Sequence, residues 1–62
     1  MRIKKYPKEK EEQFIYTIGC HAKRSWRTKE REDGTLGFFD SVDNRLLGYE
    51  TKDGNYVLVY DE

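Results

Sequence analysis

The stretch from Asp33 to Tyr60 reads DGTLGFFDSVDNRLLGYETKDGNYVLVY, and its three turn signals, Asp33-Gly34, Asp43-Asn44 and Asp53-Gly54, decide the fold. Tight hairpin loops need positive φ, which Gly, Asn and Asp accept more readily than other residues. The segments around these signals, Thr35 to Val42, Arg45 to Lys52 and Asn55 to Asp61, have strand length. The spacing predicts an antiparallel β-meander. Its last run, Tyr56-Val57-Leu58-Val59-Tyr60, is apolar at every position, so both of its faces need cover. A small closed or half-closed barrel would supply that cover, and so would a sheet completed by another chain.

Upstream, Phe14, Tyr16, Ile18 and Cys20 alternate with Gln13, Thr17 and Gly19, a period of two that predicts the first firm strand. Residues 1–12 hold only Ile3 and Tyr6 as apolar anchors, then Pro7 and the run Lys8-Glu9-Lys10-Glu11-Glu12. They are expected to form a flexible charged arm ahead of a single small β domain at 13–62, with a short edge strand at Arg2 to Tyr6 as the alternative.

Residues 21–32 mix good helix formers with Trp26 and Thr28, which favour strands. A helix would line up Lys23, Arg27 and Arg31 at i, i+4 spacing, three like charges in a row. A strand is the better reading, giving a mostly β fold of about five antiparallel strands. The alternative is an α+β fold with a helix at 21–32 packed on a four-stranded sheet. As a strand, the segment sets Lys23, Ser25, Arg27, Lys29 and Arg31 on one face and Ala22, Arg24, Trp26, Thr28 and Glu30 on the other. Its cations would form a comb with teeth about 6.8 Å apart.

Hairpin register decides what that comb adjoins. With two-residue loops throughout, Phe38 lies opposite Tyr49, Phe39 opposite Gly48, and Lys29 opposite Phe38, so cations and rings share a face. A third loop residue and a bulge at Asp33-Gly34 would slip the pairing by one. Trp26 would then join Phe38 and Tyr49, leaving the comb on a separate solvated face, which is the preferred reading because it keeps charge out of the core.

Composition bounds the function. Only one domain fits in 62 residues, and its core must come from 22 apolar side chains, nine of them aromatic. A single cysteine makes no internal disulfide, and neither a leader pattern nor a long apolar run is present, so a cytoplasmic protein away from membranes is expected. The formal charge is zero, yet residues 1–31 hold ten Lys/Arg against four Asp/Glu, net +6, and residues 32–62 hold two against eight, net −6. The two halves would attract one another, or the basic half would offer a binding face.

Catalytic chemistry is not expected. Cys20 and His21 are neighbours, but on a strand their side chains diverge, so a buried Cys20 and an ordinary edge His21 are expected. One Cys and one His do not complete a zinc site. Asp40, Asp43 and Glu50 do not make an acid–base pair, since Asp43 serves a turn and Asp40 is expected to answer Arg27 or Arg45 on a neighbouring strand, and Asp40-Ser41-Val42-Asp43-Asn44 lacks the spacing of a calcium loop. Gly19, Gly34, Gly37, Gly48 and Gly54 are scattered and form no phosphate loop. No cofactor, metal or small-molecule substrate is expected.

Two binding readings remain. The first is a small interaction protein, of the kind that phages and mobile elements encode, which binds or inhibits a protein partner or pairs with a second copy through Tyr56, Val57, Val59 and Tyr60. The second is a nucleic-acid-binding module built on Lys23, Arg24, Trp26, Arg27, Lys29 and Arg31, whose cations would meet phosphates and whose indole would stack on a base, with Tyr6 or Tyr16 as further rings. The sequence reading prefers the first. From Gly37-Phe38-Phe39-Asp40 through Asn44-Arg45-Leu46-Leu47-Gly48 to Val59-Tyr60-Asp61 the chain resembles one unit of the Tyr-Asp repeats of large β-rich repeat proteins. That resemblance covers less than half of the chain and implies strands and tight turns alone.

Overall fold

A computed structural model describes residues 2–60. It contains β1 (Arg2–Tyr6), a 3-10 turn (Lys8–Lys10), α1 (Glu11–His21), β2 (Trp26–Glu30), β3 (Leu36–Asp40), β4 (Leu46–Glu50) and β5 (Tyr56–Tyr60). All five strands form one antiparallel sheet in the order β1-β5-β4-β3-β2. The meander expected from the turn signals is therefore present, with β1 added beside β5. The sheet is open: β1 and β2 are its two edges, and no barrel forms. Asp61, expected to end the last strand, and the terminal residues Met1 and Glu62 lie outside the described residues.

Residues 2–6 take the edge-strand alternative rather than the solvated arm. Ile3 pairs with Val59 and Tyr6 with Tyr56, which anchors an otherwise exposed segment along β5. The strand expected at 13–20 is a helix instead. Phe14, Ile15, Ile18 and Ala22 lie at i, i+1, i+4 and i+8, the helical spacing that competes with the alternation of Phe14, Tyr16, Ile18 and Cys20. Tertiary packing chooses between the two patterns. As a helix the segment buries Phe14 and Ile18 completely and sends Tyr16 to solvent at 75% exposure. Glu11 and Glu12 in the first turn and His21 in the last suit the helix dipole. The helix alternative at 21–32 is not taken: α1 ends at His21, a bend follows over residues 22–24, and β2 is a strand, as preferred, over Trp26–Glu30.

One layer of helix covers one face of the sheet. The core joins Phe14 and Ile18 of α1 to Tyr6, Phe38, Leu47, Tyr56 and Leu58 of the strands. Phe14 sits at its centre, stacked on Tyr56 at 4.8 Å and edge-on to Phe38 at 5.2 Å and Tyr6 at 5.8 Å. Gly48 makes this contact possible. A Cβ there would come within 2.7 Å of the Val57 carbonyl oxygen and 3.0 Å of the Phe14 ring.

Register comes from the loops. Arg31 N–H donates to the Thr35 carbonyl and Gly34 N–H to that of Arg31, which closes a three-residue loop with Gly34 at φ 87°. Thr51, Gly54 and Asn55 repeat the arrangement, with Gly54 at φ 90°. The Asp33-Gly34 slip expected in the preferred register thus occurs, and Trp26 faces the helix layer with Phe38. The same slip occurs at Asp53-Gly54, and a four-residue loop over Ser41 to Asn44 with a bulge in β4 shifts the β3–β4 pairing. Phe38, not Phe39, therefore lies opposite Gly48, and Tyr49 lies opposite Gly37 on the other face, away from Trp26.

Candidate binding face of the sheet

Pairing across the sheet assigns Ile3, Lys5, Arg27, Lys29, Gly37, Phe39, Leu46, Tyr49, Val57 and Val59 to the face opposite α1. Among the described residues no second layer covers it. One register row crosses all five strands: Lys29, Gly37, Tyr49, Val57, Lys5. With strands about 4.8 Å apart, its two terminal lysines begin about 19 Å from one another. The comb therefore does share its face with aromatic rings, but with Phe39 and Tyr49 rather than with Phe38.

Gly37 gathers the centre of this face. A Cβ on it would fall 2.6 Å from Cε1 of Phe39 and 3.1 Å from Cδ of Arg31, so the Phe39 ring and the Arg31 stem both lie over bare backbone. Arg31, one residue beyond β2, sets its guanidinium over the Tyr49 ring, 5.0 Å from the centroid. This cation–π contact places the guanidinium beside the Tyr49 ring on the open face. Phe39, Leu46 and Tyr49 are half-buried, which leaves part of each ring and of the leucine open to a ligand, and Val57 is 5% exposed.

Charge is sorted by face. The strand residues of the open face include Lys5, Arg27 and Lys29 and no Asp or Glu, whereas the strand carboxylates Glu30, Asp40 and Glu50 all belong to the helix-covered face. Arg27 also donates to the Ser41 carbonyl oxygen at 3.4 Å, which holds its head near the β3–β4 loop.

Other residues expected at the site go elsewhere. Lys23 is drawn off to Asp43, 2.9 Å away, and its ammonium and the Arg45 N–H hold the Asp43 carboxyl below its ordinary pKa. Arg24 is exposed in the bend between α1 and β2. Trp26 is half-buried against the core and approaches Gly19 of α1, so its indole is not on the open face. Tyr6 is in the core, and Tyr16 is on the solvent side of the helix. Asp40 is at 0% exposure and accepts backbone N–H groups from Lys23 and Val42, while Arg27 donates to the Ser41 carbonyl oxygen instead. Cys20 is exposed on α1 rather than buried, and His21 packs edge-on to Tyr60 at 6.1 Å.

The segment expected to recruit a partner strand has its backbone pairing already filled, since β5 lies between β1 and β4. Tyr56 and Leu58 are core residues, Tyr60 borders them, and only Val57 and Val59 reach the open face. The Tyr56 hydroxyl donates to the Glu11 carboxylate, tying α1 to β5. This bond, then burial, then the charges of Glu50 and Glu11 push the Tyr56 pKa up to about 12.

At one corner of the open face, where β1 ends beside the β4–β5 turn, lies a pocket of about 410 Å³. Its walls include Lys5, Pro7, Thr51, Asp53, Asn55 and Val57. Lys5 and Val57 belong to both the pocket and the five-strand row. Asn55 Oδ1 accepts the Lys8 N–H at 3.2 Å.

Sequence reading missed Phe39, Leu46 and Tyr49 as site residues because their face depends on two loop lengths at once. The pair of three-residue loops ending in Gly was the available signal. No protein-family model, curated protein or solved structure matches the chain.

Proposed function

We propose that this protein is a non-enzymatic module that binds single-stranded nucleic acid on the open face of its sheet. The observation that carries the reading is the cross-strand row with a lysine at each end, the Tyr49 ring within it, the Phe39 ring leaning over its Gly37, and no strand carboxylate on its face. Single strands need those two elements together. Cations neutralise phosphates and release counterions, and flat groups stack on unpaired bases whatever their sequence. Phe39 offers a ring and Arg31 over Tyr49 offers a guanidinium plane, which also stacks on bases.

The reading in which β5 recruits a partner strand loses its main support, because β1 and β4 already occupy both of its edges and α1 covers one of its faces. An acidic polypeptide would meet the same cations, but it has no use for stacking planes.

The test is fluorescence anisotropy of a labelled oligothymidylate titrated with the full chain at low and moderate salt. Binding should fall steeply with salt, and Lys29→Glu should weaken it and flatten the salt slope by about one unit. Tyr49→Ala should cost about 1–3 kcal/mol of affinity. Trp26 emission should stay nearly constant, since its ring is on the helix side. No binding at low salt, or binding indifferent to both substitutions, would sink the reading.

A further inference from the structure

We infer that the corner pocket beside the β4–β5 turn is a guanine-reading subsite, an inference that rests on the nucleic-acid reading of the adjoining face. Its position is the first reason. Lys5 and Val57 close the five-strand row and also line the pocket, so a strand laid along the row delivers a base to it. Its volume, about 410 Å³, falls in the range of about 300–1,000 Å³ usual for small-ligand sites.

The polar groups around it supply the second reason. The two hairpin loops have the same build, yet they treat their aspartates differently. In the β2–β3 loop the Asp33 carboxylate is occupied, accepting the backbone N–H of Thr35 at 3.0 Å and its hydroxyl at 2.6 Å. In the β4–β5 loop the Asn55 N–H donates to the Thr51 hydroxyl instead, and the exposed Asp53 carboxylate is in none of the described hydrogen bonds or ion pairs. Asn55 Oδ1 accepts the Lys8 N–H, which orients the side chain and leaves its NH2 group as a donor with no described partner. The lining therefore brings together an acceptor-only carboxylate residue, Asp53, an amide residue, Asn55, and a cationic residue, Lys5, beside Pro7 and Val57.

Guanine matches this set. Its N1–H and N2 amino group are adjacent donors that a carboxylate accepts together, and its O6 and N7 are acceptors for an amide and an ammonium. Adenine and cytosine place a ring acceptor beside their amino group, which a carboxylate repels. Thymine and uracil flank their single N–H with two carbonyls. The face as a whole would bind any single strand; the pocket would favour a guanine at one position.

The experiment compares, by anisotropy, an oligothymidylate with the same oligomer carrying one central guanine, for the wild-type chain and for Asp53→Asn. Asp53 is exposed and Asn-Gly is a good turn pair, so the variant should keep its fold, which circular dichroism checks. The guanine should strengthen wild-type binding about tenfold, the scale of one good bidentate contact. Asp53→Asn should abolish that gain while slightly strengthening binding of plain oligothymidylate, because a charge that repels phosphate is gone. Equal binding of both oligomers by the wild type, or an Asp53→Asn effect of the same sign on both, overturns the subsite. Titration with guanosine and adenosine monophosphates separates the two readings. Preference for the guanine nucleotide without oligonucleotide binding would keep the pocket and reject the face, and no binding of either kind rejects both.

Discussion

Gly37 and Gly48 sit in adjacent strands and serve opposite faces, so adding one methyl group to each should separate folding from binding. At Gly48 the methyl would meet backbone, 2.7 Å from the Val57 carbonyl oxygen, with the Phe14 ring and Ile18 close behind at 3.0 and 3.2 Å. Nothing there yields cheaply, and Gly48→Ala should cost about 1–3 kcal/mol of stability, read as a lower urea midpoint. At Gly37 the methyl would meet the ring of Phe39 and the stem of Arg31, both of which can swing outward. Gly37→Ala should change the unfolding free energy by no more than about 1 kcal/mol, because half-exposed side chains give way at little cost. It should nonetheless weaken oligonucleotide binding by displacing both stacking groups. Equal loss of stability in the two variants would contradict this division of the faces. At this scale the sequence showed which residues were aromatic and which were cationic. It did not show which residues of the neighbouring strands share a face with Phe38 and which with Phe39, because that assignment turns on a single residue of register.

Among the elements, α1 departs furthest from its sequence reading, and its attachment to the sheet gives a pH-dependent prediction. The Tyr56 hydroxyl donates to Glu11, and its pKa is pushed from the ordinary 10.0 up to about 12 in the folded chain. A raised folded-state pKa contributes stability that is fully present below pH 10 and is lost as pH rises towards 12. Wild-type unfolding free energy should therefore decline over that window, and Tyr56→Phe should decline less steeply there. At neutral pH the substitution should cost about 1.5 kcal/mol, the low end for a hydrogen bond to a charged group, because Glu11 is exposed. Identical alkaline slopes for the two proteins would show that the bond does not form in solution. The strands after residue 25 were legible because their loops carry Asp-Gly and Asp-Asn. The helix was not, since Phe14, Ile15, Tyr16, Ile18 and Cys20 satisfy a strand period and a helix period together. Only the closeness of Gly48 to Phe14 and Ile18, a contact remote in sequence, resolves which period is used.

For the molecule as a whole, the charge imbalance between the halves becomes a spatial arrangement. The basic first half supplies both edge strands, β1 and β2, together with α1, while the acidic second half supplies the three inner strands. The edges of the sheet are thus drawn to its centre by opposite charge, and free edges rich in Lys and Arg resist pairing with other sheets. Within the strands the carboxylates are turned towards the helix layer, so the same cations remain available on the open face. Folding and binding should then respond to salt very differently. The attraction between halves is spread over exposed charges, with Lys23–Asp43 at 2.9 Å as one close pair, and screening such contacts costs little. Raising sodium chloride from about 50 to 200 mM should change the unfolding free energy by less than about 1 kcal/mol. Over that interval a ligand held at three or four phosphates should lose about ten-fold or more in affinity, since each contact returns a counterion to the strand. Urea melts and anisotropy titrations in the same buffers measure both quantities. If stability and binding fell in parallel, the cations would be acting mainly to hold the two halves together, and the open face would lose its claim to phosphate.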